Sequence, residues 1–337
     1  MAPKRSTIGD VAAVAGVSIA TVSRVLNDGS SSEATRQKVL AAVELLGYAP
    51  DIRGKNLAQG RSQRVGVLIS HLTESYVVGI VDSILQTLTT LGYDLMICSS
   101  RGREGYEAKY VRELSNGKVD ALITVSSDQL RYLLPLNSSS VPHVILTGDA
   151  GGSISAMTSV IRTEDKEGMT SAVMHLRSLG HERIAHITGD LRQIAAHTRL
   201  ATFQEVMAAE GCDTRGLIVE GDFLGPSGRA GAEKLLDRDD PPTAIITASD
   251  SQMVGVLDVV RKRGINVPGE LSLVGFDNIT EMGLSEPRIS TVAQPLDKVG
   301  KLAAEEVHSR LTTDAPARTI TIPMELIVRE STGPVPT

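Results

Sequence analysis

Three side chains near the N-terminus have types and spacing suited to reading the edges of base pairs. Arg24 can donate two parallel hydrogen bonds to a guanine, and Ile19 and Ala20 can contact the methyl group of a thymine. All three fall on one side of a predicted helix, Ile19–Leu26, whose other side is apolar. A recognition helix presents its N-terminal residues to the major groove while its apolar side packs on the preceding helix. The pattern therefore indicates a helix that reads DNA.

Two further helices are predicted to hold this one in place. Thr7 and Asp10 have the spacing of a capping box that begins a helix, and Gly16 can adopt the left-handed conformation that ends it. Ser18 caps the second helix, and Glu33–Leu46 forms a third. The expected apolar sides are Val11, Ala12, Val14 and Ala15, then Val22, Val25 and Leu26, then Val39, Leu40, Val43 and Leu46. The spacing fits a helix-turn-helix; a three-helix module that binds protein, its arginine an ordinary solvated charge, is the alternative.

The distribution of charge favours the same division of the chain. Residues 1–64 contain nine Lys or Arg and five Asp or Glu, a net charge of +4. The later positions contain the other 25 of 34 basic and 35 of 40 acidic residues, a net charge of −10. Only the first segment therefore has the positive charge that binding to phosphates requires.

These segments carry a resemblance to a known family. TIGDVAAVAGVSIATVSRVLN, EATRQKVLAAVELLGYAPD and KNLAQGRS resemble the DNA-binding head of the lac repressor (LacI/GalR) family, and the similarity extends over nearly the whole chain. The resemblance implies a hinge helix that enters the minor groove and wedges Leu57 into the central base step. The residues expected to contact DNA are Thr7, Ser18, Ile19, Ala20, Thr21, Ser23, Arg24, Asn27, Gly54, Lys55, Leu57 and Ala58. The alternative for Leu57 is packing on its own subunit.

Two features depart from the family pattern. Gly54 stands where the family usually has alanine, and a glycine costs about 1 kcal/mol inside a helix, so this hinge is expected to order less readily. The loop 27–32 is one residue shorter than usual and lacks an apolar residue before Ser32. The entry angle of the third helix is therefore expected to differ from the family's.

From Val65 onward, short apolar runs alternate with amphipathic stretches, which is typical of parallel sheets flanked by helices. The alternation occurs twice, which predicts two lobes with a ligand cleft beyond the carboxyl ends of the strands. The resemblance likewise implies a core similar to periplasmic sugar-binding proteins, with three crossings between lobes near residues 162, 291 and 320. The expected fold class is an N-terminal all-α helix-turn-helix head plus hinge helix, then a two-lobed α/β core with parallel sheets.

The expected domains follow from these boundaries. They are a head at 1–50, a hinge at 51–62, an effector-binding and dimerisation core at 63–331, and a tail at 332–337. Within the core, residues 63–161 and 292–319 are assigned to the first lobe. Residues 162–291 and 320–331 are assigned to the second.

Side chains at the strand ends are candidates for binding a small-molecule effector. The planar guanidinium of Arg199 can donate to two adjacent hydroxyls, and Asp277 ends a strand beside Phe276, whose ring could stack on a sugar. The resemblance implies effector contacts at the positions of Arg199, Ser249 and Asp277, with Gln294 near the cleft. The expected effector residues are His71, Tyr76, Arg199, Ser249, Phe276, Asp277 and Gln294, with Glu74 as a further lining residue.

Structural roles are the alternatives for several of these residues. Arg199 could form a surface ion pair, Asp277 could be a turn aspartate, and Asp250 could simply cap a helix. Ser249 and Thr202 replace the family's usual asparagine and glycine, which alters the ligand expectation but not the fold. With no Trp, three Phe and six Tyr, the inference is a polar ligand, with carbohydrate expected and purines or other metabolites as alternatives.

No catalytic or metal site is expected, and no cofactor. Ser70 with His71 lacks a nucleophile-elbow context, and His181, His186 and Asp190 do not match a zinc spacing. His175 and His181 are expected at the surface or at a helix end. Cys98 and Cys212 form no disulfide or metal pattern, and the N-terminus lacks the apolar core of a signal peptide. A cytoplasmic protein is therefore expected.

The functional hypothesis is a sequence-specific DNA-binding transcriptional regulator, a repressor whose operator affinity changes with an effector in the cleft. A homodimer is expected because one head reads only half of a palindromic operator. The tail from Ser331 has no leucine heptads, which favours a dimer over a tetramer. The alternatives are a solute-binding transport protein and a corepressor-dependent regulator sensing a purine or another metabolite.

Overall fold

The computed structural model describes residues 6–27, 29–48, 61–103, 105–125, 141–146, 157–313 and 315–336. The chain divides into two compact units, residues 1–61 and residues 62–337.

Within the described ranges, no single helix has the length and apolar character needed to cross a membrane. Two short helices, 8–15 and 19–26, reach that length only together, and they are bent by 103°.

The described residues of the first unit form three helices, and their ends are fixed as the sequence predicts. They are α1 (Ile8–Ala15), α2 (Ile19–Leu26) and α3 (Glu33–Leu46). The capping box of α1 is confirmed: the Asp10 carboxylate accepts from the Thr7 N–H at 2.8 Å, and Thr7 Oγ1 accepts from the Asp10 N–H at 3.3 Å. Gly16 ends α1 with φ at 66°, and the Ser18 side chain caps α2.

The apolar sides of α1 and α3 are narrower than predicted. Val14 and Leu40 are 50% and 47% exposed, so their assignment to the core is wrong. Each lies about 110° around its helix from the centre of the buried stripe, at 100° per residue. The core of the unit instead includes small side chains that let the helices approach closely, and its buried residues are Val11, Ala12, Ala15, Val22, Val25, Val39 and Ala42.

The first sheet of the second unit has six parallel strands. They are β1 (Arg64–Ile69), β2 (Asp94–Ser99), β3 (Ala121–Val125), β4 (His143–Leu146), β5 (Thr158–Thr163) and β11 (Thr319–Ile322), in the order β2-β1-β3-β4-β5-β11. Helices flank it at Ser75–Thr90 (α4), Tyr106–Ser115 (α5) and Leu296–Thr312 (α11). The central strands β1, β3 and β4 are almost wholly buried, as continuous apolar runs covered on both faces should be.

The second sheet also has six strands, and one of them is antiparallel. They are β6 (Ile184–Ile187), β7 (Ile218–Val219), β8 (Ala244–Thr247), β9 (Ser272–Asp277), β10 (Ser290–Ala293) and the antiparallel β12 (Glu325–Ile327), in the order β7-β6-β8-β9-β10-β12. Its helices are α6 (Asp165–Ser178), α7 (Ile194–Ala209), α8 (Gly225–Leu236), α9 (Asp250–Arg263) and α10 (Thr280–Leu284). The two-lobed α/β core expected from the alternating pattern is therefore present.

The chain passes between the two sheets three times. It crosses after Thr163, after Ala293 and after Ile322, slightly later than expected in each case. The late strand β11 belongs to the first sheet through residue 322, and β10 belongs to the second through residue 293, because backbone pairing continues to those positions.

The last residues of the chain pack against the second lobe instead of forming a separate tail. Ser331 is fully buried, and its Oγ donates to the Leu273 carbonyl at 2.6 Å. The Gly333 N–H donates to Ser272 Oγ at 3.1 Å, and the Val335 N–H donates to the Leu179 carbonyl at 3.0 Å. Residues 331–335 therefore complete the second lobe.

Candidate functional site

Helix α2 exposes a small surface whose side chains hold no core contacts. Ile19 is 54% exposed, and Ala20 and Arg24 are also exposed. We call these three residues the reading face. Ser23 beside them is half-buried, while Val22 and Val25 on the other side of α2 are buried. The exposure of a cation and two apolar side chains is as predicted, and their contact with DNA stays a prediction.

Four other predicted DNA-contact residues use their polar groups to fix helix ends. Ser18 Oγ accepts from the Thr21 N–H at 3.1 Å and also lies 2.9 Å from Thr21 Oγ1. Asn27 Nδ2 donates to the Ser23 carbonyl at 2.7 Å. Thr7 belongs to the capping box of α1. These side chains therefore orient the reading face, since they set where α1 and α2 begin or end.

Gly29 also positions the reading face, and sequence reasoning missed it. A Cβ at this position would lie 2.6 Å from Arg24 Cγ and 3.0 Å from the Arg24 carbonyl oxygen. The Gly29 N–H also donates to that carbonyl at 2.8 Å. The loop after α2 therefore passes against the stem of Arg24, and only a residue without a side chain fits there. Its signal in the sequence was the short, glycine-containing loop.

The predicted hinge contacts Gly54, Lys55, Leu57 and Ala58 lie outside the described residues. The description resumes at residue 61, at the end of the predicted hinge, and there Asp120 binds the chain. Its carboxylate accepts from the N–H groups of Ser62 and Gln63, both at 2.7 Å, and from Ser62 Oγ at 2.9 Å. The residues that follow the hinge are thus tied directly to the start of β3.

A pocket lies between the two lobes at the carboxyl ends of their strands. In this arrangement of the lobes its cavity volume is about 30 Å³, and it is lined by Glu74, Tyr76, Gln193, Ala195, Arg199, Phe223, Ser249, Ser251, Asp277 and Gln294. We call it the interlobe pocket. Five of the seven predicted effector residues line it, together with Glu74. Gln193, Ala195, Phe223 and Ser251 were not predicted: Gln193 and Phe223 lie in connections without a distinctive pattern, and Ala195 and Ser251 lie in the first turns of α7 and α9.

Arg199 is the most firmly held side chain of the interlobe pocket. It is 4% exposed, its Nε donates to Asp165 Oδ1 at 2.6 Å, and one terminal nitrogen donates to the Ala248 carbonyl. Its guanidinium carbon lies 3.6 Å from the centre of the Phe276 ring. The alternative of a surface ion pair is therefore wrong; the pair is buried.

Phe276 and His71 do not take the places expected of them. Phe276 is completely buried and its face is covered by Arg199, so the prediction that it stacks on a ligand is corrected. The aromatic rings that line the interlobe pocket are those of Tyr76 and Phe223. His71 is not among the lining residues, and its Nδ1 lies 3.3 Å from Glu74 Oε1.

Asp277 connects the interlobe pocket to two of the crossings between lobes. Its Oδ1 accepts from Gln294 Nε2 at 2.6 Å, and Gln294 Oε1 accepts from Thr163 Oγ1 at 3.3 Å. Gln294 follows β10 and Thr163 ends β5, so each side chain lies at a crossing. Burial raises the pKa of Asp277 to about 7, although Arg199 and Gln294 favour its charged form and Glu74 opposes it.

The backbone is unusual at two positions of the interlobe pocket. Asp277 has φ at 117° and Phe223 has φ at 71°, in the left-handed region that non-glycine residues rarely adopt. Such conformations cost about 1–3 kcal/mol each and cluster at ligand sites. The surrounding hydrogen bonds hold both side chains toward the pocket.

Ser249 lines the interlobe pocket, as predicted, and it also takes the capping role that the sequence suggested for Asp250. Ser249 caps α9 by accepting from the Gln252 N–H at 3.1 Å and also donates to the Phe223 carbonyl at 2.7 Å. Asp250 is fully buried and accepts from the Ile279 N–H at 3.0 Å. Burial and the neighbouring Asp277 raise the pKa of Asp250. Asp250 therefore does not cap the helix; it ties α9 to the loop after β9.

The histidines of the second lobe are structural. His181 was expected at the surface, but it is fully buried, with Nδ1 2.9 Å from Thr243 Oγ1 and Nε2 3.0 Å from the Gly333 carbonyl. The closing residues of the chain cover it, which the sequence pattern did not reveal. His186 is buried in the middle of β6, and burial lowers its pKa to about 4.

Over the part of the chain that the structure describes, no group of three or more His, Cys, Asp or Glu residues is arranged to hold a metal ion.

Comparison with known proteins identifies the family. Residues 7–51 match the profile of bacterial regulatory proteins of the lacI family, and residues 173–332 match a periplasmic binding protein-like domain. The chain is 34% identical to the HTH-type transcriptional regulator DegA of Bacillus subtilis (strain 168), over 99% of this chain and 100% of the relative. The chain belongs to the lacI family. Like its relatives in that family, it is a DNA-binding transcriptional regulator.

Solved structures of lacI-family proteins have the same architecture. The lac repressor dimer bound to operator and the anti-inducer ONPF matches with a TM-score of 0.85 and 27% identity, over 98% of this chain and 100% of that chain. A complex of the transcriptional regulator CelR with cellobiose matches with a TM-score of 0.73 and 31% identity, over 97% of this chain and 100% of that chain. The helix-turn-helix head and the two-lobed core are therefore those of the family.

Proposed function

We propose that this lacI-family regulator is a repressor whose operator affinity is set by a small polar effector in the interlobe pocket. The observation that carries the proposal is the chain of hydrogen bonds from Asp277 through Gln294 to Thr163. A ligand that binds Asp277 competes for the same hydrogen bonds that hold two of the crossings. Its binding energy therefore differs between lobe arrangements, which is the condition for shifting an equilibrium between two states.

The junction at Asp120 supports transmission of that shift to the DNA-binding segment. Asp120 lies at the start of β3 and accepts three hydrogen bonds from Ser62 and Gln63. A change in the position of the first lobe would therefore move the residues that follow the hinge directly. The hinge residues around Leu57 are proposed to bind the minor groove, and such binding depends on the spacing of the two hinges in a dimer.

A homodimer is part of the proposal, because a single head reads only half of a palindromic operator. The lac repressor relative is a dimer on its operator. In this chain, Val78 of α4 and Leu284 of α10 are exposed apolar side chains along one groove that spans both lobes. We propose that a second copy covers this groove.

The proposed place of action is the cytoplasm, where the chromosome lies.

Operator binding by the full chain tests the DNA-reading part of the proposal. Palindromic sites are selected from a random library, and affinities are measured by fluorescence anisotropy at fixed salt. Arg24→Lys retains the charge but loses the two-pronged donor, so it is expected to weaken specific binding about tenfold or more and nonspecific binding less than about twofold. Equal loss on both DNAs would mean that Arg24 contacts only phosphate.

Effector gating is tested on the selected operator with a library of sugars, nucleobases and other small metabolites. A true effector changes operator affinity in the wild-type protein and fails to do so in Asp277→Asn. The matched control is Asp239→Asn, an exposed carboxylate of the second lobe that lines neither the interlobe pocket nor the groove proposed for the second copy. If no compound alters operator affinity, the gating proposal fails while the DNA-binding function stands.

A further inference from the structure

The interlobe pocket is acidic, and its two carboxylates come from different lobes. Glu74 precedes α4 in the first lobe, and Asp277 ends β9 in the second. The charge of Glu74 is close enough to disfavour ionisation of Asp277. Asp250, buried behind Asp277, adds a third carboxyl group on the same side. Approach of the lobes therefore favours the protonated form of Asp277.

The interlobe pocket already contains one positive charge, that of Arg199, and this side chain binds other groups of the protein. Arg199 is the only Lys or Arg among the lining residues of the described pocket, and it is bound to Asp165 and to the Ala248 carbonyl with its face on Phe276. His71 Nδ1 lies 3.3 Å from Glu74 Oε1, its side chain is about one-third exposed, and it is not among the residues that line the pocket. A ligand thus meets two carboxylates, while the guanidinium largely neutralises Asp165.

Two aromatic rings, those of Tyr76 and Phe223, form part of the same lining. The faces of aromatic rings attract cations, and the attraction grows as the cation loses water. Carboxylates combined with aromatic faces make an environment suited to ammonium groups. A neutral polyol would use the hydrogen-bond acceptors but would not favour the charged form of Asp277, whereas a cation would.

We propose that the effector of this regulator carries a protonated amine, which binds between Glu74 and Asp277 and against the rings of Tyr76 and Phe223. The ligand class is a small cationic amine bearing further hydrogen-bonding groups, such as an amino sugar or a diamine. This inference rests on the proposed effector site and adds its chemical specificity. The amine bridges the lobes, because it neutralises one carboxylate from each of them.

Calorimetric titration of the full-length protein at pH 7 tests the proposal with matched pairs of compounds. The amines are D-glucosamine, D-galactosamine and putrescine, and their neutral counterparts are D-glucose, D-galactose and 1,4-butanediol. At least one amine is expected to bind about tenfold or more tightly than its counterpart, as charge-assisted hydrogen bonds in a desolvated site allow. If no amine binds more tightly than its counterpart, the proposal is overturned, and this comparison needs no variant.

Two variants locate the preference in the protein. Glu74→Gln keeps an acceptor for Ser70 and is expected to reduce the amine's advantage about tenfold or more. Asp94→Asn, which removes an exposed charge from the start of β2, outside both the interlobe pocket and the groove proposed for the second copy, is expected to leave that advantage unchanged. Equal effects of the two variants would show that only the overall charge matters and would overturn the bridging geometry.

Operator binding separates this inference from the proposed function. A regulator whose operator affinity responds to a neutral compound through Asp277, but not to any amine, would keep the effector site and lose the amine specificity. Loss of every ligand effect on operator affinity would instead remove the proposed gating. An amine that binds between the carboxylates and also changes operator affinity supports both.

Discussion

The reading face of the head and the interlobe pocket of the core both present polar groups for recognition, but they hold them by different means. On α2, each orienting contact is local. Ser18 accepts a hydrogen bond from the Thr21 N–H, Asn27 donates one to the Ser23 carbonyl, and Gly29 packs on Arg24. In the pocket, contacts join residues far apart in the chain, such as Arg199 with Asp165 and Gln294 with Thr163. The head is therefore sensitive to single caps and turns, whereas the pocket depends on the folding of both lobes.

The largest expected effect is in the core. Arg199→Ala leaves the Asp165 carboxylate buried without its partner, which should lower the free energy of unfolding of the core by about 3–5 kcal/mol. Chemical denaturation followed by circular dichroism measures it. The control is Arg183→Ala, which removes an exposed ion pair with Asp240 and should cost at most about 1 kcal/mol. Similar losses in both variants would contradict the buried role of Arg199.

The second prediction concerns Asp277 in the interlobe pocket and the dependence of the protein's stability on pH. Its folded pKa of about 7 exceeds the unfolded value of about 3.9, so the folded state holds a proton that the unfolded state releases between these values. Stability from this group is present at low pH and is lost as the pH rises through 7. Asp277→Asn should therefore be more stable than wild type at pH 8, by an amount on the order of a few kcal/mol, and should show no such gain at pH 4.

Unfolding curves of the wild-type protein and Asp277→Asn at pH 4, 6 and 8 measure this difference. Burial lowers the pKa values of His143 and His186 to about 3 and about 4, and these groups lose stability as the pH falls. The difference between variant and wild type at each pH cancels their contribution. A difference independent of pH would show that Asp277 does not retain its proton in the folded state.

A smaller effect is expected in the head, at the loop that packs on Arg24. Gly29→Ala places a Cβ against Arg24 Cγ and the Arg24 carbonyl, so Arg24 must move, and specific operator affinity should fall about tenfold, or about 1.4 kcal/mol. Ser31→Ala in the same loop is the control and should change affinity little. Anisotropy titrations measure both. If the two variants behave alike, the loop does not position Arg24.

The smallest effect is the loss of one helix cap. Ser18→Ala removes the acceptor for the Thr21 N–H at the start of α2 and should destabilise the head by about 1 kcal/mol. Ser18→Gly should recover most of that loss, because glycine is tolerated at this position. Hydrogen exchange of the amides in α2 measures both variants, and the core amides should exchange as in wild type. Faster exchange in the core would show that the two units are not independent.

Local signals predicted the head well. The capping box at Thr7, the turn at Gly16 and the cap at Ser18 each involve residues a few positions apart, so their geometry can be read from the sequence. Val14 and Leu40 were misassigned because a short helix buries a narrow stripe, and an apolar residue just outside it remains exposed.

The interlobe pocket was only partly predictable, for a physical reason. Strand ends marked Asp277 and the family resemblance marked Arg199, but neither signal states which surface a side chain faces. Phe276 alternates into the core beneath Arg199, whereas Phe223 reaches the pocket from a loop with no regular pattern. His181 was misplaced for a similar reason, since the residues that bury it lie more than 150 positions later.

The three crossings have a consequence for synthesis on the ribosome. The first sheet is completed by β11 and the second by β12, with residues 331–335 closing the second lobe. Neither lobe can finish folding until almost the entire polypeptide has been translated, whereas the three described helices of the head end at residue 46. N-terminal domains generally fold first during translation. A nascent chain would thus carry a folded DNA-binding head well before it gains a body able to sense a metabolite.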